Sequence, residues 1–244
     1  MRNIWGWVVG VLVVVGAGIT IGKFFAEDSS RTARAPRPAP AATAPAAGTT
    51  VAEAAATNIP KPTASFSDMK VVPEDFSIGK VDAPVVMVEY ASLTCPHCAA
   101  FHNDVLPTIK TEFIDSGKVR LIYRDFPLDR VALSASMLAR CAGRDRYFGF
   151  VGAFFAAQAN WSRDNNPVAA LGRIARVGGM SQQDVDACLG KQDVADAVLK
   201  QRLEGEKAFG VNSTPTIIIG GDKFDGGLTI EQFRAIVAGK MKKS

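Results

Sequence analysis

Two thiols lie three residues apart in the tetrapeptide Cys95-Pro96-His97-Cys98, which follows an apolar run at residues 85–90. Thiols at this spacing can close into one disulfide, and the free N–H groups and dipole of a helix that starts here stabilise a thiolate. We therefore predict that Cys95 is the nucleophile of an oxidising disulfide, because a low thiol pKa favours the reduced form. The alternative is half of a zinc site, which requires two more ligands at matching spacing. We favour redox chemistry and predict neither a metal nor an organic cofactor.

Strand and helix patterns on either side of the pair predict the elements that position it. Residues 85–91 form an apolar run typical of a buried strand, and apolar side chains recur every four residues from Phe101 to Phe113, as on one face of a helix. Residues 119–124 alternate in polarity and predict a second strand. A strand, a helix and a strand in this order indicate a parallel βαβ unit.

The pattern is wholly helical from residue 129 to about residue 208, and strand signals then return. Residues 216–219 and 222–225 predict a hairpin around a Gly-Gly turn, and Thr229 begins a last helix. Several residues mark helix ends by their capping chemistry. They are Asn166 before Pro167, Ser181 with Asp184, Thr229 with Gln232, and the stop residues Gly178, Gly190 and Gly210.

This order of elements, the CPHC tetrapeptide and the run Ser213-Thr214-Pro215-Thr216 before a strand together resemble the thioredoxin superfamily, specifically the DsbA-like thiol-disulfide oxidoreductases. The resemblance spans about residues 68–240. It implies an α/β thioredoxin fold with an inserted helical domain. The thioredoxin domain would occupy residues 68–128 and 209–244, and the inserted domain residues 129–208.

The resemblance assigns a role to each residue near the two thiols. Cys95 would form a mixed disulfide with a substrate protein and Cys98 would resolve it, while Pro96 and His97 would tune the redox potential. Glu89, six residues before Cys95, would be a buried acid that relays a proton for the resolving cysteine. The alternative for Glu89 is a strand-end residue that faces solvent, because a buried carboxylate is costly.

The sequence also suggests roles for the Thr214–Pro215 peptide bond and for His102. The Thr214–Pro215 bond would be the cis peptide that faces the cysteines and offers its backbone to an extended substrate, as the resemblance implies. Its alternative is an ordinary trans proline at a strand start. His102, one turn beyond the CPHC tetrapeptide, is interpreted as an ordinary helix residue, since most single histidines are structural.

Cys141 and Cys188 both lie in the predicted helical insertion, each on the apolar side of its own helix. We predict a structural disulfide between them. In the chain-entropy model, closing this loop would stabilise the folded state by about 4 kcal/mol. Two buried free thiols and a second redox-active pair are the alternatives.

The N-terminal third of the chain has a different composition from the rest. Residues 4–22 form an uncharged run of 19 residues, close to the length that crosses a bilayer. Residues 1–27 are therefore predicted to be a signal anchor, with a cleaved signal peptide as the alternative. Residues 28–67 are rich in Ala and Pro and predict a disordered linker.

The predicted function is a thiol:disulfide oxidase that introduces disulfides into unfolded or partly folded exported proteins. Such chemistry needs an oxidising compartment, so the location would be the periplasm or another extracytoplasmic space, at the membrane through the N-terminal segment. The resemblance implies reoxidation by a DsbB-like membrane quinone reductase, and the protein would be a monomer. The net charge of +4 is modest and does not predict nucleic-acid binding.

Two alternative functions remain open at this point. One is a disulfide isomerase or reductase of the same fold. The other is a tethered binding module with a structural CxxC pair. Phe154, Phe155 and Trp161 could line its apolar surface, although their helical spacing favours positions in the core.

Overall fold

Six strands form one mixed sheet in the computed structural model, which describes residues 58–67 and 69–242. The strands are β1 (Ala64–Ser65), β2 (Phe76–Ile78), β3 (Val85–Ala91), β4 (Val119–Asp125), β5 (Thr216–Ile219) and β6 (Asp222–Asp225). They lie in the order β1-β6-β5-β3-β4-β2. β3 and β4 are parallel, as a crossover through a helix requires, and the other neighbouring pairs are antiparallel.

The helix that follows β3 begins at Pro96 and continues to Ile114 as alternating α and π segments, which together are α1. The segments are Pro96–Ala100 (α), Phe101–Val105 (π), Leu106–Ile109 (α) and Lys110–Ile114 (π). Pro107 explains the first widened turn, because proline donates no N–H and its ring clashes with the preceding turn of a regular helix.

Seven more helices follow in the described part of the chain. They are α2 (Arg130–Cys141), α3 (Arg144–Ala156), α4 (Gln158–Trp161), α5 (Pro167–Val177), α6 (Gln182–Leu189), α7 (Gln192–Phe209) and α8 (Ile230–Met241). The first six lie between β4 and β5, which confirms the predicted helical insertion. Side chains of Asn166, Ser181 and Thr229 cap α5, α6 and α8 as their sequence predicts.

The side chains of β3 divide between two apolar clusters on opposite faces of the sheet. Val85 and Met87 pack with side chains of α1 and α8, whereas Val88 and Tyr90 pack with Phe126 and its neighbours. β3 is therefore buried on both faces, which explains why its sequence is apolar apart from Glu89. A third cluster joins the end of β3 and the start of α1 to the inserted helices.

The sequence did not predict the two short edge strands. β1 lies within the predicted linker at residues 28–67, yet Ala64 and Ser65 pair with Lys223 and Asp222 of β6. β2 pairs with β4 in the same way. Strands of two or three residues are too short to show a period of two, and only their partners in the sheet define them.

The predicted signal anchor lies outside the described residues. Among residues 58–67 and 69–242, no helix is both long and apolar enough to cross a membrane.

Candidate active site

Cys95 and Cys98 lie where β3 leads into α1. Cys95 is the N-cap of the helix, Pro96 follows at its first position, and the N–H of Cys98 donates a hydrogen bond to Cys95 Sγ at 3.4 Å. Both cysteines are free thiols in this structure. Cys95 is 5% exposed and Cys98 is fully buried, so only Cys95 presents its sulfur to an approaching molecule.

The two thiols differ strongly in acidity. The pKa of Cys95 is lowered to about 5, chiefly because the Cys98 side chain donates a hydrogen bond to its sulfur, with help from the N–H groups of Cys98 and His97. Burial, followed by the nearby Cys95 and Glu89, raises the pKa of Cys98 far above its usual range. At neutral pH the reduced site therefore holds a Cys95 thiolate beside a Cys98 thiol.

The loop before β5 faces Cys95. The Thr214–Pro215 peptide bond is cis, as the resemblance implies, and Cys95 Sγ lies 3.3 Å from the Thr214 carbonyl oxygen. The distance allows the protonated thiol to donate a hydrogen bond to that carbonyl. The backbone of Thr214 thus lies next to the sulfur that would bind a substrate.

Glu89 and His102 form a buried pair that the sequence did not predict. Glu89 is fully buried, so its solvent-facing alternative is wrong. His102 Nε2 lies 3.1 and 3.0 Å from the two carboxylate oxygens of Glu89. His102 is therefore more than an ordinary helix residue. Its position four residues after Cys98, on the same face of α1, was the available signal.

A groove of about 610 Å³ opens beside His97, which lies between the two cysteines in the sequence. Its walls include His97 and Phe101 from α1, Pro215 from the cis-proline loop, Leu228 from the segment before α8, and Ile230 at the start of α8. Pro96 and His97 are both exposed on the first turn of α1. Most of the lining is apolar, and the groove lies between α1 and the Thr214–Pro215 loop.

Cys141 at the end of α2 and Cys188 in α6 form a disulfide, with an S–S distance of 2.18 Å. The bond connects two helices of the insertion, and Cys188 lies in the apolar cluster there.

Phe154, Phe155 and Trp161 are almost completely buried. They belong to the core of the insertion, as their helical spacing favours, and the alternative in which they line an apolar binding surface is wrong. Within the part of the chain that the structure describes, no group of three or more His, Cys, Asp or Glu side chains could hold a metal ion.

A central β3–β4 pair, an inserted helical layer and a thiol pair at the start of α1 define a thioredoxin-like protein of the thiol-disulfide exchange class. The thioredoxin family profile matches residues 71–238. The crystal structure of Wolbachia pipientis alpha-DsbA1 is similar, with 31% sequence identity and a TM-score of 0.68 over 72% of this chain and 94% of that one. The chain belongs to the thioredoxin superfamily, among its DsbA-like members.

Relatives found by sequence similarity support the same family assignment. A Rickettsia bellii protein provisionally named a protein-disulfide oxidoreductase is 31% identical over 153 residues, which are 62% of this chain and 59% of that protein. Disulfide bond formation protein D of Bacillus subtilis is 28% identical over 147 residues, 58% of this chain and 66% of that protein. The match thus spans about three fifths of the length of the Rickettsia relative.

Proposed function

We propose that this protein is a thiol:disulfide oxidase that transfers a Cys95–Cys98 disulfide to exported proteins. The observation that carries the proposal is the asymmetry of the two thiols. An acidic, partly accessible Cys95 beside a buried Cys98 of high pKa stabilises the reduced form, and this makes the disulfide a strong oxidant.

The reaction consists of two exchanges at sulfur. A substrate thiolate attacks Cys95 Sγ, the Cys95–Cys98 bond breaks, and Cys98 leaves as a thiolate that takes up a proton. A second substrate thiolate then attacks the substrate sulfur of the mixed disulfide, and Cys95 leaves as a thiolate. The substrate loses two electrons and two protons. The protein gains two electrons and one proton, which is held by Cys98, and the other proton goes to solvent. Cys95 is the favoured leaving group because a thiol of lower pKa departs faster.

The residues around Cys95 support this use. Pro96 and His97 lie between the sulfurs and would tune the redox potential of the pair. The backbone of Thr214 would pair with an extended substrate segment, while Pro215 and the apolar groove would contact its side chains. An extended, cysteine-bearing segment of an unfolded protein fits this arrangement.

Partners and location form part of the same proposal. An oxidising dithiol requires a compartment without reducing glutathione, so the protein would act in the periplasm or another extracytoplasmic space. A DsbB-like membrane quinone reductase would restore the disulfide, and the N-terminal segment would hold the protein, a monomer, at the membrane. The names of the Rickettsia and Bacillus relatives support a role in disulfide chemistry.

The redox potential of the Cys95–Cys98 pair, measured by equilibration with glutathione, tests the proposal. We expect a value closer to the about −120 mV of DsbA than to the about −270 mV of thioredoxin. A value near that of thioredoxin would overturn the oxidase assignment in favour of a reductase or isomerase.

Oxidation of a reduced, unfolded substrate protein provides the second test. Cys95→Ser should abolish the activity, and oxidation of the substrate at the wild-type rate would instead favour a binding module. Cys98→Ser is the matched variant, because it keeps the nucleophile. With glutathione disulfide added as the oxidant, it should accumulate a mixed disulfide between Cys95 and the substrate, since the resolving thiol is missing.

A further inference from the structure

The Glu89–His102 pair lies near the resolving cysteine, Cys98, in an almost completely buried part of the site. Cys98 and Glu89 are fully buried, whereas His102 keeps 8% of its surface exposed. Glu89 also lies close enough to Cys98 for its charge to raise the pKa of that thiol. His102 is therefore the member of this group that reaches towards solvent.

The geometry of the pair indicates which atom donates. His102 Nε2 is almost equidistant from both carboxylate oxygens of Glu89, at 3.1 and 3.0 Å. An ionised carboxylate only accepts hydrogen bonds, so Nε2 must carry the proton. Without this donor a carboxylate at this depth would have a large desolvation cost. The ring of His102 is held in place by Phe155, with the ring centroids 4.2 Å apart.

The other titratable groups around the pair cannot substitute for it. Tyr123 on β4 and Tyr147 on α3 are fully buried, and burial raises the pKa of each far above its usual range. They stay neutral and protonated. Asp125 accepts hydrogen bonds from Arg140 and Tyr147, so its charge is already compensated within the insertion.

We propose that His102 is a positioning residue for thiol-disulfide exchange: it keeps Glu89 ready to exchange a proton with Cys98 and carries that proton between Glu89 and solvent. This inference rests on the proposed exchange chemistry. When the disulfide opens, a proton from solvent passes through His102 to the Glu89 carboxylate, which gives it to the Cys98 thiolate and is ionised again. When the disulfide closes, the Glu89 carboxylate takes the proton of Cys98 and returns to its ionised form as His102 releases that proton to solvent.

The test measures the rate at which dithiothreitol reduces the Cys95–Cys98 disulfide, as a function of pH, in four proteins. These are wild type, His102→Gln, Glu89→Gln and the double variant. Glutamine at position 102 keeps an N–H donor but cannot carry a proton. We expect each single variant to be about a hundredfold slower, the lower end of the loss typical for a general acid–base group. The double variant should be no slower than Glu89→Gln, and the pH profiles of the variants should coincide.

Asn103→Ala is the matched control. Asn103 is the next residue of α1 and donates a hydrogen bond from its side chain to the Phe155 carbonyl oxygen at 3.3 Å. Its loss disturbs the same contact between α1 and α3 without touching Glu89. We expect the wild-type rate and pH profile in this variant. Urea unfolding of every variant separates a loss of stability from a loss of rate.

Two outcomes would overturn the inference. One is a His102→Gln protein with the wild-type rate and pH profile. The other is a double variant whose loss equals the product of the two single losses, because independent residues behave in that way. Neither outcome affects the proposed oxidase function, which depends on the measured redox potential. Conversely, a potential near that of thioredoxin would overturn the oxidase assignment and leave this test of the pair intact.

Discussion

The backbone N–H of Cys98 donates a hydrogen bond to Cys95 Sγ across 3.4 Å. The contact exists because Cys95 is the N-cap of α1, where the first N–H groups of the helix have no partner within it. The start of α1 therefore holds the nucleophile next to backbone N–H groups that stabilise its thiolate. The helix start thus adds to the acidity of Cys95, whose largest cause is the hydrogen bond from the Cys98 side chain.

The first prediction concerns the titration of that thiol. In the reduced protein, the ultraviolet absorbance of the thiolate should appear with a midpoint near pH 5, because the pKa of Cys95 is lowered to about that value. Cys95→Ser should remove the transition, and Cys98→Ala should move it upwards, since the hydrogen bond from the Cys98 side chain is the largest cause of the shift. A midpoint near that of free cysteine in wild type would contradict the assignment.

The same shift predicts how stability depends on pH. The pKa of Cys95 is lower in the folded reduced protein than in the unfolded chain, so the thiolate stabilises the fold above the ordinary thiol pKa. This stabilisation is lost as the pH falls through about 5. Urea unfolding of the reduced protein at several pH values, compared with Cys95→Ser, should show that the difference between them grows as pH rises. A constant difference would disagree with the prediction.

The second disulfide should contribute to stability without taking part in exchange. We expect Cys141→Ala with Cys188→Ala to lower the free energy of unfolding by about 2–4 kcal/mol, because the crosslink restricts the unfolded chain over a separation of 47 residues. Denaturant unfolding measures the loss. Each single variant should lose about as much as the double variant, because either change breaks the same bond. Exchange rates at Cys95 should stay at the wild-type level, and a large decrease would assign the bond a role in exchange.

Gly205 of α7 should not tolerate a side chain. A Cβ at this position would lie 2.6 Å from Cε1 of the buried Tyr90, so we expect Gly205→Ala to cost about 1–3 kcal/mol through overpacking. Gly152→Ala in α3 is the matched control, since a Cβ there meets no atom within 4 Å. It should stabilise the protein by up to about 1 kcal/mol through helix propensity. Equal effects of the two changes on thermal unfolding would contradict this packing argument.

The Asp75–Arg124 ion pair should be sensitive to the loss of one partner. Arg124 donates to both carboxylate oxygens of Asp75 at 2.9 and 2.8 Å, and both side chains are buried. Asp75→Asn leaves the Arg124 charge without compensation, and we expect it to cost about 3 kcal/mol in urea unfolding. Glu206→Gln, which breaks the more exposed pair with Arg202, should cost less than about 1 kcal/mol. If both variants lost a similar free energy of unfolding, burial would not be what determines the cost of breaking an ion pair.

Local sequence signals predicted most of the fold. The bounds of β3, β5 and β6 are those that the apolar runs and the Gly-Gly turn indicate, and the caps of α5, α6 and α8 are the predicted residues. These signals succeed because capping, turn and strand preferences act between residues close together in the chain. The position of the thiol pair at the start of α1 follows from the same local information.

The sequence by itself determined the chemistry of this protein, because two thiols at a helix start are defined within four residues. The tertiary structure decided which distant groups act on those thiols. Glu89 faces His102 because β3 and α1 pack together, β1 exists because β6 pairs with it, and Cys141 meets Cys188 because α2 packs against α6. Each contact joins residues from different elements, so it depends on how those elements pack and not on the preferences of either residue alone.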